Sequence, residues 1–263
     1  MFSLLMFVVI LSEYREAARA HNALAQQVTI THESTPRPVL PPPTPSLPNE
    51  SEPEPEPEED DGEVFIETFT LPEGIELPPI DFELLYEINP NIVAWIQLIG
   101  TQINYPVMHG DDNSFYLYHL FDGTPNASGS IFVDAYNEPG FVDQNTVLHG
   151  HHMRDGSMFA ALVNYSSQAF FDENPWIFLM KPTGNYVIKL FAGFTTDVLG
   201  DSWNYKFRSD AEMEAWIARN RERSDFVSNV EVSASDRVVT LSTCSYVFHD
   251  ARHVVMGRLM PIA

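Results

Sequence analysis

The chain has 263 residues and carries 37 acidic against 14 basic side chains, a net charge of −23 at pH 7. That length fits one large domain or two small ones, and so acidic a chain repels phosphate backbones, which excludes nucleic acid as a natural partner. Its one cysteine, Cys244, rules out an internal disulfide.

In chain order, Met1 to Ser12 is almost wholly apolar, yet shorter than the about 20 residues a spanning helix needs. The expectation for residues 1–12 is a partial membrane anchor, the remnant of a signal-anchor. Residues 13–30 read as a juxtamembrane helix, since Ala17, Ala18, Ala20, Ala23 and Ala25 are strong helix formers with no Gly or Pro among them. This helix is expected to carry the chain away from the bilayer. Residues 31–63 are a Pro/Glu-rich linker with ten acidic residues against Arg37; such a segment builds no core and should behave as a disordered, self-repelling spacer.

The globular part is expected at 64–263. Short apolar runs bounded by turn residues predict eight strands at Val93–Leu98, Tyr105–Val107, Ser130–Val133, Thr146–His149, Trp176–Met180, Tyr186–Phe194, Arg237–Cys244 and Val254–Leu259. Lys181-Pro-Thr-Gly184 is a hairpin turn by composition. Helices are expected at Asp81–Ile88, at Ser157–Tyr165 and at 210–223, where Ser209-Asp-Ala-Glu212 forms a capping box before Met213, Trp216 and Ile217. The fold class is mainly β with helical insertions: an eight-stranded barrel, N-terminal helices, and a helix in the loop before the strand that ends in Cys244.

Cys244 closes the apolar strand of Val238, Val239 and Leu241, a rigid place to hold a nucleophile. A free cysteine is also often an inert core thiol, and the residue alone leaves both readings open. His151, in Leu148-His-Gly-His-His-Met153, follows a strand end and supplies the imidazole that thiol-based acyl transfer needs. Arg252 lies just past the short loop after Cys244, and antiparallel pairing would return it to the thiol as an oxyanion donor. Arg258, further along the strand, is its control.

Together these blocks resemble the class B sortases. The resemblance rests on Thr240-Leu-Ser-Thr-Cys244 with Arg252 downstream, Gly150-His-His-Met153 followed by Asp155-Gly-Ser-Met-Phe159, Gly129-Ser-Ile-Phe-Val-Asp134 and Ile103-Asn-Tyr-Pro-Val107, and runs from about Asp81 to Leu259. It implies an eight-stranded barrel with Cys244, His151 and Arg252 as the catalytic set. It implies cleavage of an Asn-Pro-x-Thr-like C-terminal sorting signal after its Thr, a thioester on the cysteine, and transfer to an amine of a cell-wall precursor or a pilin. The partners would be that signal peptide, the amine and, through the N-terminus, the membrane, with the catalytic domain on the extracellular face. Asn113 and Leu117 fall where the family lines the groove for the signal. Ser242 faces the same groove by strand alternation, and Trp203 and Tyr205 are apolar candidates for the opposite wall.

No cofactor is implied. His149, His151, His152, His249 and His253 invite a zinc reading, but a site needs about four converging ligands, and supporting or surface roles are the simpler expectation. Asp134 is expected to be structural. The competing functions are a cysteine peptidase that releases its acyl-enzyme to water, and an inactive surface-binding module.

Overall fold

A computed structural model describes residues 2–29, 67–245 and 250–263. The 31–63 linker and His249 lie outside the described residues. Eight strands, β1 (Ile92–Gln97), β2 (Asn104–His109), β3 (Ile131–Val133), β4 (Asn145–His149), β5 (Trp176–Lys181), β6 (Gly184–Asp197), β7 (Val238–Cys244) and β8 (Ala251–Pro261), match the eight expected runs. They close into one barrel in the order β1-β2-β3-β4-β7-β8-β6-β5. Pairing is antiparallel except between β2 and β3 and between β4 and β7. The β5–β6 hairpin turns through Pro182 and Thr183, with Lys181 opposite Gly184.

Alternating residues such as Ile96, Val107, Leu148, Ile188, Leu241 and Val255 fill the interior. Much of the outer face is covered as well. Trp95, Met108, Phe178 and Met180 pack under the N-terminal helices, while Val238, Val254 and Met256 pack under a helix inserted before β7. Strands buried on both faces read as unbroken apolar runs, which is why Ile177–Met180 has no polar position.

Helix α1 (Phe2–Val28) is continuous through Ser12 and Glu13. Rather than simply leading away, it lies on the barrel: Ala17, His21, Leu24 and Val28 are buried along one face. Burying Leu24 and Val28 contributes roughly 3–6 kcal/mol. Burial also lowers the pKa of His21 to about 4, against opposing effects of the Gly129 backbone and Asp122, and so keeps the ring neutral inside this contact. The helix ends beside the start of α2 (Phe82–Ile88): Thr29 pairs with Ile80, and Asp81 N–H donates to Val28 C=O at 2.9 Å. The Asp81 carboxylate caps α2 by accepting from Leu84 N–H at 3.0 Å. Among the described residues no helix is long and apolar enough to cross a membrane.

The helix expected at Ser157–Tyr165 is instead a 3-10 helix over Ala160–Ser166, followed by α3 (Gln168–Glu173). Met158 sits at φ 56, outside helical space, so no helix can begin at Ser157. Leu162 and Tyr165, three residues apart and both buried, share one face at 3-10 spacing. On α4 (Asp210–Glu222) the expected N-cap forms, Ser209 Oγ accepting from Glu212 N–H, while Glu212 Oε2 reaches one residue further back than a capping box requires and accepts from Arg208 N–H.

Candidate active site

β7 is the axis of the site, fixed by β4 on one side and β8 on the other. The β7–β8 register sets Cys244 opposite Arg252, as antiparallel pairing requires. Directly opposed residues project to the same face with Cα atoms about 4.5–5.5 Å apart, so thiol and guanidinium share the outer surface of the barrel end. Ser245 N–H donates to Ala251 C=O at 2.9 Å and holds the strands together just past the pair. The thiol is half-buried.

β4 delivers the histidines. Gly150 N–H donates to Ser242 C=O at 3.1 Å, extending the β4–β7 ladder one residue beyond His149. A Cβ at Gly150 would lie 2.4 Å from Ile131 Cδ1 and 2.8 Å from the Phe159 ring, so only glycine lets the backbone pass at this depth. The next residue, His151, has its Nε2 2.8 Å from the Leu117 carbonyl oxygen. A carbonyl can only accept, so Nε2 carries the proton and the neutral ring keeps Nδ1 as its basic position. His152 turns the other way, its Nδ1–H donating to the Cys244 carbonyl at 3.0 Å. The adjacent histidines thus point different ways: His151 is held through Nε2 by the Leu117 carbonyl, and His152 ties the Cys244 backbone to the β4 side.

These groups open on a groove of about 300 Å³ lined by Cys244, His151, Arg252, Asn113, Leu117, Ser242 and Trp203, together with Phe132, Asp134, His149, Gly150, Val198 and Thr243. Tyr205 is not among the lining residues; it stacks on Tyr136 with ring centroids 6.4 Å apart. Asp134 accepts from His149 Nε2 at 2.9 Å, Asn113 Nδ2 at 3.0 Å and the Tyr136 N–H at 3.0 Å. Burial opposes its ionisation, but these donors outweigh it and hold the carboxyl below its ordinary range. Asn113 Oδ1 accepts from Ala135 N–H at 2.7 Å, so the side chain expected to meet substrate is also part of the groove's own framework.

The opposite wall is built from the segment between β6 and α4. Its Asp201 carboxylate receives Arg219 and Arg223, its carbonyl accepts from Trp216 Nε1 at 2.8 Å, and Asn145 Nδ2 donates to the Asn204 carbonyl at 2.9 Å. Trp203 is therefore fixed from both sides in sequence. Sequence reasoning missed His149, Asp134 and Val198 as groove residues; the alternation that set Ser242 outward also sets its β4 neighbour His149 outward, and that signal was available. The histidine cluster disperses. His149 binds Asp134, His151 and His152 bind different carbonyls, and His253 lies inside the barrel with Nδ1 3.1 Å from Thr195 Oγ1.

A half-buried thiol, an imidazole and a guanidinium share one groove at the end of a closed eight-stranded barrel, the three kinds of group that thiol acyl transfer uses. The Sortase domain family profile matches residues 96–260, and the chain belongs to the sortase family. Within it the chain is a class B sortase, a sortase-type cysteine transpeptidase. It is 34% identical over 178 residues to a sortase B of Listeria monocytogenes, covering 67% of this chain and 72% of that one. A Staphylococcus aureus sortase B–substrate complex superposes with a TM-score of 0.67 at 34% identity, covering 70% of this chain and 86% of that one. A Clostridium perfringens sortase B superposes with a TM-score of 0.65 at 33% identity, covering 68% and 99%.

Proposed function

We propose that Cys244 is the nucleophile, His151 the acid and base, and Arg252 the oxyanion donor in transfer of a surface protein from its C-terminal sorting signal to an amine. The observation that carries this is the cross-strand pair Cys244–Arg252 on the groove that also holds His151. His151 Nδ1 takes the thiol proton, and the thiolate adds to the carbonyl of the signal's Thr. Arg252 donates to the resulting oxyanion. Collapse breaks the C–N bond, His151 Nδ1–H passes its proton to the leaving amine, and a thioester remains on Cys244. An incoming amine then loses its proton to Nδ1 as it attacks, and Cys244 leaves as the thiol after proton return. Throughout, Nε2–H stays on the Leu117 carbonyl, so only one nitrogen of the ring exchanges protons.

The signal is of the Asn-Pro-x-Thr type, held between Asn113, Leu117 and Ser242 on one side and Trp203 on the other, and the amine belongs to a cell-wall precursor or a pilin. The substrate in the related Staphylococcus aureus complex supports a peptide partner. The apolar N-terminus supports a membrane anchor with the catalytic domain on the extracellular side; cell fractionation with protease shaving tests that placement.

The central test incubates the protein with an Asn-Pro-x-Thr peptide and a set of amines, and follows products by mass spectrometry. A thioester on Cys244 and a ligated peptide are expected, and both vanish in Cys244→Ala. Hydrolysis alone with every amine would replace transfer by the peptidase reading; no adduct on Cys244 would remove the nucleophile.

A further inference from the structure

We propose that helix α1 is a positioning element for His151, acting through the segment between Leu117 and Gly129. This rests on His151 acting as acid and base as described above. The ring's Nε2–H is held by one atom, the Leu117 carbonyl oxygen, and that atom has a tightly built support. Gly129, at φ +57, lies so close beneath it that a Cβ there would come within 2.5 Å of Leu117 O and 2.6 Å of Tyr116 O. Ser130 N–H donates to Tyr116 C=O at 2.8 Å, and Asn126 N–H donates to Tyr118 C=O at 2.8 Å, so the residues on both sides of Leu117 are fixed.

The same segment is the dock of α1. Asn126 Nδ2 donates to the Glu13 carbonyl at 3.1 Å while its Oδ1 accepts from Ser128 N–H at 2.9 Å, so one side chain joins the helix to the turn that ends in Gly129. Eight residues along the helix, His21 packs edge-on against Tyr105 at 4.9 Å and against Phe121 at 5.2 Å, and Leu24 and Val28 complete the buried face. The path runs from α1 through Asn126 and Gly129 to Leu117 O and the imidazole. Releasing the helix frees the turn, and with it the carbonyl that selects the Nε2–H tautomer.

The test uses the full chain and two variants. Asn126→Asp is isosteric and keeps the acceptor for Ser128 N–H, but opposes a carboxylate oxygen to the Glu13 carbonyl. Leu24→Gln places an amide in the buried face of α1. Two readouts are taken: the nitrogen-15 shifts of His151 Nδ1 and Nε2 in the free protein, and kcat and KM on one signal peptide. Expected are a single Nε2–H tautomer in the wild type, a mixture in both variants, and a kcat lowered about 10-fold with KM held within about two-fold. A purely structural role would lower stability and leave the tautomer unchanged. If Leu24→Gln does not fold, Asn126→Asp decides alone: wild-type nitrogen shifts and wild-type kcat in that variant overturn the proposal. Should the wild type cleave no signal peptide, the substrate reading fails, while the nitrogen shifts still decide the positioning role.

Discussion

His253 makes the stability of this barrel acid-sensitive by an amount the structure sets. The side chain lies inside the barrel at 1% exposure, opposite Thr243 across the β7–β8 ladder, with Nδ1 on Thr195 and Nε2 without a hydrogen-bond partner among the described residues. Burial, with a smaller contribution from His152, lowers its pKa from 6.5 to about 4. The unfolded chain therefore takes up this proton below about pH 6.5 and the folded protein only below about 4, so stability falls with falling pH across that window. The loss is about 2 kcal/mol by pH 5 and reaches a limit of about 3 kcal/mol below pH 4. For a domain of this size 2 kcal/mol moves Tm by roughly 4–8 °C. His253→Gln does not titrate and keeps a group that can bond Thr195. Thermal melts of both proteins at pH 7 and pH 5 isolate the effect, because His21 and the carboxylates are common to both. The wild type should lose roughly 4–8 °C more than the variant between the two pH values. Equal losses would show that His253 is charged in the folded barrel, or that the folded state yields to admit its proton.

Arg252→Lys should lose about 10²–10³ in kcat, since Lys keeps the charge but not the planar fork; Arg258→Lys should instead lower stability, because Arg258 bonds Asp236 and Glu67 at the other end of β8. Peptide kinetics beside thermal melts separate the two, and an Arg252→Lys enzyme within a few-fold of wild type would leave the oxyanion to backbone N–H groups. His151→Ala should cost far more activity than His152→Ala, which loses the tie to the Cys244 carbonyl; equal losses would mean that His152 moves the proton. Leu24→Ala should cost about 2–3 kcal/mol in urea unfolding, and a change near zero would show that α1 is not docked in solution.

The eight strands were legible because barrel strands covered on both faces leave unbroken apolar runs between turn residues, and the capping box marked α4. The Cys244–Arg252 pair was legible because a short loop between antiparallel strands fixes the register. The docking of α1 was hidden by its alanines. They account for helicity, and the spacing of Ala17, His21, Leu24 and Val28, one face at i, i+4, i+7 and i+11, is diluted by apolar neighbours and broken by a histidine that only burial keeps neutral. Apolar character alone suggests Tyr205 for the groove wall; the fold adds its stack on Tyr136, and cross-segment stacking has no signal in the local sequence. The Asn113–Asp134–His149 framework joins three separate segments, so only the folded register brings it together.

The joining of Thr29 to Ile80 and of Val28 to Asp81 changes what the acidic Pro-rich run can do. Thr29 and Ile80, which flank it in the chain, are held against one another, so the number of residues between them does not set the distance from α1 to the groove. Doubling the length of such a closed loop costs only about 0.6 kcal/mol, which leaves its length and charge free to vary without moving the site. Helix α1, whose 27 residues span about 40 Å at 1.5 Å each, is packed on the barrel along Ala17, His21, Leu24 and Val28. The part of the helix before Ala17 is therefore held at a set distance from the groove, however long the chain between Thr29 and Ile80 becomes.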